Sequence, residues 1–547
     1  MANPAEEHGA RSAAAEPALP GDDEARFPVV AIGASAGGLA ALSRFFEAMS
    51  ADAGIGFVVI VHLAPTHASH LPELLARHTA MPVTQVQDAE PARLQRDHVY
   101  VIPPDRSLEL RAGHLCLSKG ERLPKIPLPI DRFFRSLAED RQEQAICIVL
   151  SGSGSDGSQG LRDVKSEGGL VMAQSPETAE HDGMPRSAIA TGQVDVVLPV
   201  EQMPRALLDY ARHALLLGAP IADALAAADD EVLHDIITLL RLRAGRDFRG
   251  YKQAMVMRRV RRRMGLARIQ RLADYHALLR DSTEEVGTLC KDLLIGVTAF
   301  FREPEAWAAL EHEVLAPLVR GAARDASFRI WVPACSTGEE AYTIAMLMAE
   351  QMAAHAHRGK VSIFATDADH QALDSGRNGR YPEQIAATVL PERLARFFTH
   401  QGEQFTVRKE LREMVVFAPQ NLLSDPPFSR LDLICCRNLL IYLEPAQQHK
   451  LMLLFHFALN PGGHLMLGKS ESVGHQHGLF EPAVKRWRIY RRIGPARRAA
   501  IELAPGARDG GAVVRGGGGG GRCRPATTST ASSCVSCCWR TTRRRRC

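Results

Sequence analysis

The chain has 547 residues, 46% apolar and 23% charged, which calls for roughly two to four separately cored domains. Its formal charge of +4 misleads, because residues 510–547 hold eight arginines and no Asp or Glu; the remainder sums to −4, which excludes a polyanion binder by overall charge. No apolar run is long enough to span a bilayer, and the Ala-rich, acidic residues 1–26 lack the basic-then-apolar order of a signal peptide, so a cytoplasmic protein without membrane insertion is expected.

Residues 1–26 read as a disordered segment. From residue 27 to about 200, apolar strands at Val29–Ile32, Phe57–Val61, Val99–Ile102, Ile146–Leu150 and Val194–Leu198 alternate with helical stretches. That alternation predicts a doubly wound, mostly parallel sheet. An Ala- and Leu-rich helical connector follows, and residues 231–290 show helical periodicity without a strand signal. A second α/β pattern runs to about 490, with strands near Phe328–Val332, Ser362–Ala365, Val415–Phe417 and Leu431–Cys435. Beyond 496 the composition collapses to Gly, Arg, Ser, Thr and Cys, which cannot build a core. The abrupt change reads as out-of-frame translation of a GC-rich gene. Five of the eleven cysteines fall in this tail; the other six are scattered, so no disulfide framework is expected in the body.

The segment Gly33-Ala34-Ser35-Ala36-Gly37 fits a G-x-S-x-G turn between strand and helix. A serine there faces free backbone N–H groups that can hold an oxyanion. A Gly-rich phosphate loop or a plain tight turn shares the pattern. Two further residues sharpen it. His62 ends the strand Phe57–Val61, and Asp156 lies just past Ile146–Leu150 in Ser151-Gly152-Ser153-Gly154-Ser155-Asp156. In a parallel sheet all three fall on the carboxyl edge. Ser35 would attack, His62 would take its proton and Asp156 would orient the imidazole. His67, His70 and His78 lack the Cys or carboxylate that would complete a ligand set, and no metal is expected.

The segments GASAGG, VIVHLAPTHASHLPELL, VYVIPPD, LSGSGSDGSQGL and ETAEHDGMPRSAI resemble the catalytic domain of CheB-type protein-glutamate methylesterases. The resemblance implies hydrolysis of γ-glutamyl methyl esters on chemoreceptors, deamidation of receptor glutamines, and a triad of Ser35, His62 and Asp156. Ser153 stands where the family often has Met. Residues 1–26 stand where it often has a receiver domain, so control by phosphorylation within the chain is not expected.

The second loop, Ala334-Cys335-Ser336-Thr337-Gly338 before Glu339 and Glu340, follows the strand Phe328–Val332. It is neither a Walker A loop nor G-x-G-x-x-G, which argues against nucleoside triphosphates and NAD. Asp367, past the next strand, suits ribose hydroxyls, and carboxylates suit a cationic sulfonium. An ordinary strand–loop–helix with an exposed acid has the same pattern. VTAFFREPEAW, PACSTGEEAYTIAM, FATDAD, FAPQNLL and FSRLDLICCRNLLIYL then resemble CheR-type chemotaxis protein-glutamate methyltransferases. The resemblance covers about 231–490 and implies S-adenosylmethionine (SAM) as cofactor. It carries cofactor contacts onto Thr298, Arg302, Glu340, Asp367, Asn421, Leu422, Arg437 and Asn438, and places Tyr442 near the methyl group. Gly296 replaces a contacting Asn of some members.

Arg258, Arg259, Arg261, Arg262 and Arg263 form a basic helix. The resemblance gives it a docking role toward acidic receptor helices. Asp425-Pro426-Pro427-Phe428 looks like a DNA amino-methyltransferase motif but precedes its strand, where the true motif follows; no nucleic-acid partner is expected. The segment between Phe398 and Val407 is shorter than the loop of receptor-tail-binding members.

The expectation is two doubly wound α/β domains, CheB-type and SAM-dependent Rossmann-like, with a small all-helical domain between them. Expected boundaries are 27–205 for the esterase, 206–230 for a linker, 231–290 for the helical domain, 291–495 for the transferase and 496–547 for the tail. The expected function is bifunctional: methyl esters are formed on receptor glutamates and hydrolysed again. Chemoreceptor-like substrates are the expected partners, along with sensor kinases or response regulators. The alternative is a signalling scaffold with one or both sites inactive.

Overall fold

The computed structural model describes residues 27–62, 70–87, 91–119, 128–217, 223–294, 296–402, 404–474 and 478–495. The N-terminal segment, His67 and the tail lie outside them.

The first domain is built on a seven-stranded sheet whose neighbouring strands all pair in parallel. Its spatial order is Val196–Leu198, Leu170–Gln174, Ala145–Val149, Val29–Ala34, Gly56–Val61, His98–Val101 and Val83–Gln85. The central strands are continuous apolar runs because both faces are covered. Val30 and Ile32 pack with Phe45, Phe46 and Phe57 on one side. Val29 and Ala31 pack with Phe133 and Phe134 on the other. Each of these buried phenylalanines contributes roughly 1.5–3 kcal/mol of transfer free energy. The strand order reverses between Val29–Ala34 and Ala145–Val149, which opens a crevice at their carboxyl ends. The helix Met203–Leu217 crosses the boundary expected at 205, and its Leu207, Tyr210 and Ala211 belong to this domain's core.

Helices Asp223–Ala244, Gln253–Ala267, Leu272–Asp281 and Thr283–Leu293 form the small helical domain around Ile236, Leu240, Val260, Tyr275 and Leu289. Its last helix begins at Ser282, whose hydroxyl accepts from the Glu285 N–H at 3.1 Å, the first half of a capping box. Glu285 does not close the box; it pairs with Arg263 and the Tyr275 hydroxyl instead.

The second sheet also has seven strands, in the order Val415–Pro419, Val361–Asp367, Phe328–Pro333, Leu431–Cys436, Leu459–Leu467, Ile489–Arg492 and Phe480–Val484. The first five pair in parallel, and Ile489–Arg492 pairs antiparallel with both of its neighbours, Leu459–Leu467 and Phe480–Val484. Here the order reverses between Phe328–Pro333 and Leu431–Cys436, and a second crevice opens there. A three-stranded antiparallel sheet, Arg380–Pro382, Gln404–Val407 and Phe398–Gln401, is added to this domain.

The basic helix Gln253–Ala267 is not a solvated face. Arg259 and Arg262 are only 2% and 3% exposed. Arg259 donates to the carbonyls of Lys165 and Ser166 in the first domain, and Arg262 to that of Gly169 at 3.0 Å. Arg258, Arg259 and Arg262 therefore face the first domain, while Arg263 pairs with Glu285 inside the helical domain.

Candidate active sites

In the first crevice, the turn after Val29–Ala34 reverses through Gly37, at φ +70°, into the helix Gly38–Glu47. That left-handed position suits glycine. Ser35 N–H donates to the Ser151 carbonyl at 3.0 Å, which ties the serine turn to the neighbouring loop. Gly152 is needed at that contact, since a Cβ there would lie 2.9 Å from the Ser35 Cβ. Among the described residues the N–H groups of Ala36 and Gly37 have no acceptor, so the turn offers free donors beside Ser35.

His62 Nε2 lies 2.8 Å from Asp156 Oδ2. The Asp156 side chain is 2% exposed and that of His62 34%. Asp156 also accepts from the backbone N–H groups of Ile130, Asp131 and Gly157, at 3.0, 2.9 and 2.8 Å. Two of these belong to the first turn of the helix Pro129–Arg141, whose dipole favours a carboxylate. An acceptor-only carboxylate makes His62 Nε2 the protonated nitrogen, which leaves the lone pair on Nδ1. No hydrogen bond joins Ser35 to His62 among the described residues. Asp131, which sequence reasoning missed, sits beside Asp156, and burial together with that charge pushes its carboxyl well above the usual range. Nothing in the sequence pattern marked it, since Pro129-Ile130-Asp131 reads as an ordinary helix start.

The second crevice is a cleft of about 1140 Å³, including the part open to solvent. Thr298, Arg302, Glu340, Asp367, Asn421, Leu422, Arg437, Asn438 and Tyr442 all line it. Three non-glycine residues of its lining adopt left-handed backbone: Ala334 (φ 55°), Ser336 (φ 49°) and Asn438 (φ 60°). Such strain concentrates where a loop must present its groups to a ligand. Asp367 accepts the Ser336 and Asp369 N–H groups, both at 2.8 Å, and so fixes the loop after Phe328–Pro333. Burial raises its carboxyl above the ordinary value, as it does that of Glu340. Glu340 accepts from the Cys435 thiol at 2.9 Å and lies 3.6 Å from Arg437. Arg437 pairs with Glu303 and stacks over Trp307, with its guanidinium carbon 5.1 Å from the ring centroid. Among the described residues Arg437 Nε is buried without a partner.

Two more residues escaped the sequence reading. Glu471 accepts the N–H groups of Asn438, Leu440 and Gly468, at 3.0, 2.7 and 2.6 Å, and so braces the Cys436-Arg437-Asn438 turn. Tyr251 reaches the cleft from the helical domain, its phenol pushed up to about 12 by burial and by Asp367. The room, the two half-buried carboxylates and the strained loops together fit a nucleoside that carries positive charge.

Three family models match the chain: CheB methylesterase over 30–207, the all-alpha domain of CheR methyltransferase over 231–294, and the SAM binding domain of CheR methyltransferase over 296–489. A chemotaxis protein methyltransferase of Escherichia coli (strain K12) is 34% identical over 46% of this chain and 88% of its own length. A protein-glutamate methylesterase/protein-glutamine glutaminase of Anaeromyxobacter dehalogenans is 34% identical over 34% of this chain and 54% of its own length. An uncharacterized 104.1 kDa protein of Rhodobacter capsulatus is 40% identical over 79% of this chain. The chain spans 48% of that relative's length. The chain thus belongs to the CheR methyltransferase family, with a CheB methylesterase domain joined ahead of it, and its cofactor is SAM. Among the described residues no helix is long and apolar enough to cross a membrane.

Proposed function

We propose that this protein forms and hydrolyses methyl esters on the glutamates of a chemoreceptor-like signalling protein. The observation that carries this reading is the pair of crevices in one chain: a serine turn beside a His–Asp pair, and a cleft lined by half-buried carboxylates.

SAM supplies an electrophilic methyl group when bound. Glu340 and Asp367 offer counter-charge and hydroxyl acceptors to the cofactor, and Thr298, Asn421, Leu422 and Asn438 complete its surroundings. Arg302 and Tyr442 orient the substrate carboxylate toward the methyl group. That carboxylate, with an ordinary pKa of about 4.3, is already an anion at neutral pH, so the chain need supply alignment and no general base.

For hydrolysis, Ser35 Oγ attacks the ester carbonyl while His62 Nδ1 takes its proton. Asp156 stabilises the resulting imidazolium through Nε2. The N–H groups of Ala36 and Gly37 face the tetrahedral oxyanion. Methanol leaves with the proton from His62, and water then releases the glutamate and regenerates Ser35. In this structure Ser35 and His62 are not yet bonded; substrate binding tightens such contacts. A sensor kinase or response regulator is the proposed signalling partner.

The test uses methyl-labelled SAM, the purified chain and chemoreceptor-containing membranes. Base-labile label should appear on receptor, and Ser35→Ala should retain it for longer. Absence of both SAM binding and methanol release refutes the reading.

A further inference from the structure

Opposed activities in one chain would cycle SAM to no effect unless something separates them. The junction between the first domain and the transferase supplies a physical device. The helix Gly160–Ser166, only a few residues past Asp156, lies against the transferase half of the chain. Gln159 Nε2 donates to the Gln384 carbonyl at 3.2 Å. Arg162 Nη1 donates to the Thr298 carbonyl at 2.9 Å and lies 3.7 Å from Glu339. Thr298 is itself a cleft residue, and Glu339 immediately precedes another. Glu167, at the end of the same helix, is among the charges that act on the Tyr442 phenol, together with Arg259. The first domain therefore sits on the rim where Thr298 and Tyr442 stand.

What holds it there is mostly ionic. Lys165 and Asp195 of the first domain interlock with Arg262 and Asp292 of the helical domain, through Lys165–Asp195, Lys165–Asp292, Arg262–Asp195 and Arg262–Asp292 pairs. All four side chains are at most 17% exposed. Arg258 reaches Glu143 at 3.2 Å and Glu167 at 3.8 Å. Two cations and two anions buried together specify one orientation but add little net stability, because water reclaims their solvation on separation. Leu266 is the helix's apolar contact with the first domain's core. Such a junction can hold a defined closed state that a competing acidic surface opens, since that surface would take over the same arginines. The serine site, by contrast, stays open: Ala36, Ser153 and Gly154 are exposed.

We propose that the esterase domain is a gate in cis over the acceptor entrance of the methyltransferase, so that the docked chain only hydrolyses esters and the released chain also forms them. The proposal rests on the functional reading above and adds its regulation.

The experiment compares the full chain with two variants altered only on the esterase side, Arg162→Ala/Lys165→Ala and Gln159→Ala/Arg162→Ala. The second spares the buried ionic cluster. SAM binding by calorimetry and hydrolysis of a labelled methyl ester report that each half is folded, and both should match wild type. Small-angle scattering should show a larger radius of gyration. Methyl transfer to chemoreceptor-containing membranes should rise at least several-fold in both variants. Transfer equal to wild type in both, with SAM binding and hydrolysis intact, overturns the gate and leaves the functional reading standing. No transfer from any form that binds SAM overturns the functional reading, and the gate with it.

Discussion

Asp131 donates its backbone N–H to Asp156 Oδ1 at 2.9 Å, which places two carboxylates at the start of one helix. Their surroundings differ. Asp156 collects three backbone N–H donors and His62. The Asp131 carboxylate accepts from Gly160 N–H at 2.7 Å, and burial and the neighbouring charge push its pKa well above 3.8. Above pH 3.8 the unfolded chain gives up this proton while the native state keeps it, so stability falls as pH rises through the window up to the raised native value. Asp131→Asn keeps the acceptor for Gly160 and removes the titration. The variant should be more stable than wild type at pH 7 by at least about 1 kcal/mol, with the gain shrinking toward pH 4. Thermal melts at both pH values decide it; a shift independent of pH would contradict this account.

Asp156→Asn should lower ester hydrolysis by roughly 10³–10⁴-fold without disturbing SAM binding. The asparagine amide can donate to His62 Nε2, which moves the imidazole proton to Nδ1 and removes the base facing the serine turn. Rates on a labelled methyl ester measure the loss. A decrease smaller than tenfold would mean that the His62–Asp156 bond is not the orienting contact.

The serine turn, the cofactor loop and both doubly wound sheets were legible because they rest on local signals: apolar runs of strand length and glycines at the reversals. Long-range pairing was harder to see. The strand Leu170–Gln174 is fully buried, yet its five residues resemble the end of an apolar helix. Leu459–Leu467 contains Pro461-Gly462-Gly463, which reads as a turn, and the chain accommodates it by a register shift against Leu431–Cys436. Pro482 is unfavourable inside a strand, but Phe480–Val484 lies on the sheet edge, where a missing N–H costs little. The candidate cleft residues sit in motifs; their supports do not. Asp131 and Glu471 act through backbone N–H groups far along the chain, and no spacing rule reports that. The partners of the arginine helix were hidden for the same reason, since Asp195 and Glu167 belong to another domain.

Glu471→Gln tests one of those supports. The wild-type carboxylate accepts three backbone N–H groups with two oxygens, and glutamine offers one. Asn438, at φ 60°, is held through its backbone N–H by this carboxylate. The variant should bind SAM roughly 10-fold more weakly, about 1.4 kcal/mol, as expected for a loosened charge-assisted bond. Glu471→Asp should recover part of the loss. Calorimetry provides the readout, and ester hydrolysis by the same sample should be unchanged. An unaltered SAM affinity would remove Glu471 from the support of the cleft.

Glu340 carries the last prediction, which concerns pH. Its side chain is 16% exposed, and loss of solvent raises its pKa above 4.5 despite Arg437 and the Cys435 thiol, which act in the opposite direction. A cationic ligand is favoured by the ionised form alone. SAM affinity should therefore weaken as pH falls toward that raised value, earlier than an exposed glutamate would allow. Glu340→Gln should lower affinity at neutral pH by about 1.5–3 kcal/mol, the range for a hydrogen bond to a charged group, and should flatten the pH dependence. Arg437 keeps its Glu303 partner in this variant, so the cleft wall is retained. Titration of SAM into wild type and variant between pH 7 and pH 5 separates the two effects. Parallel curves for the two proteins would show that Glu340 does not face the cation, and Asp367, the other half-buried carboxylate of the cleft, would become the group to test.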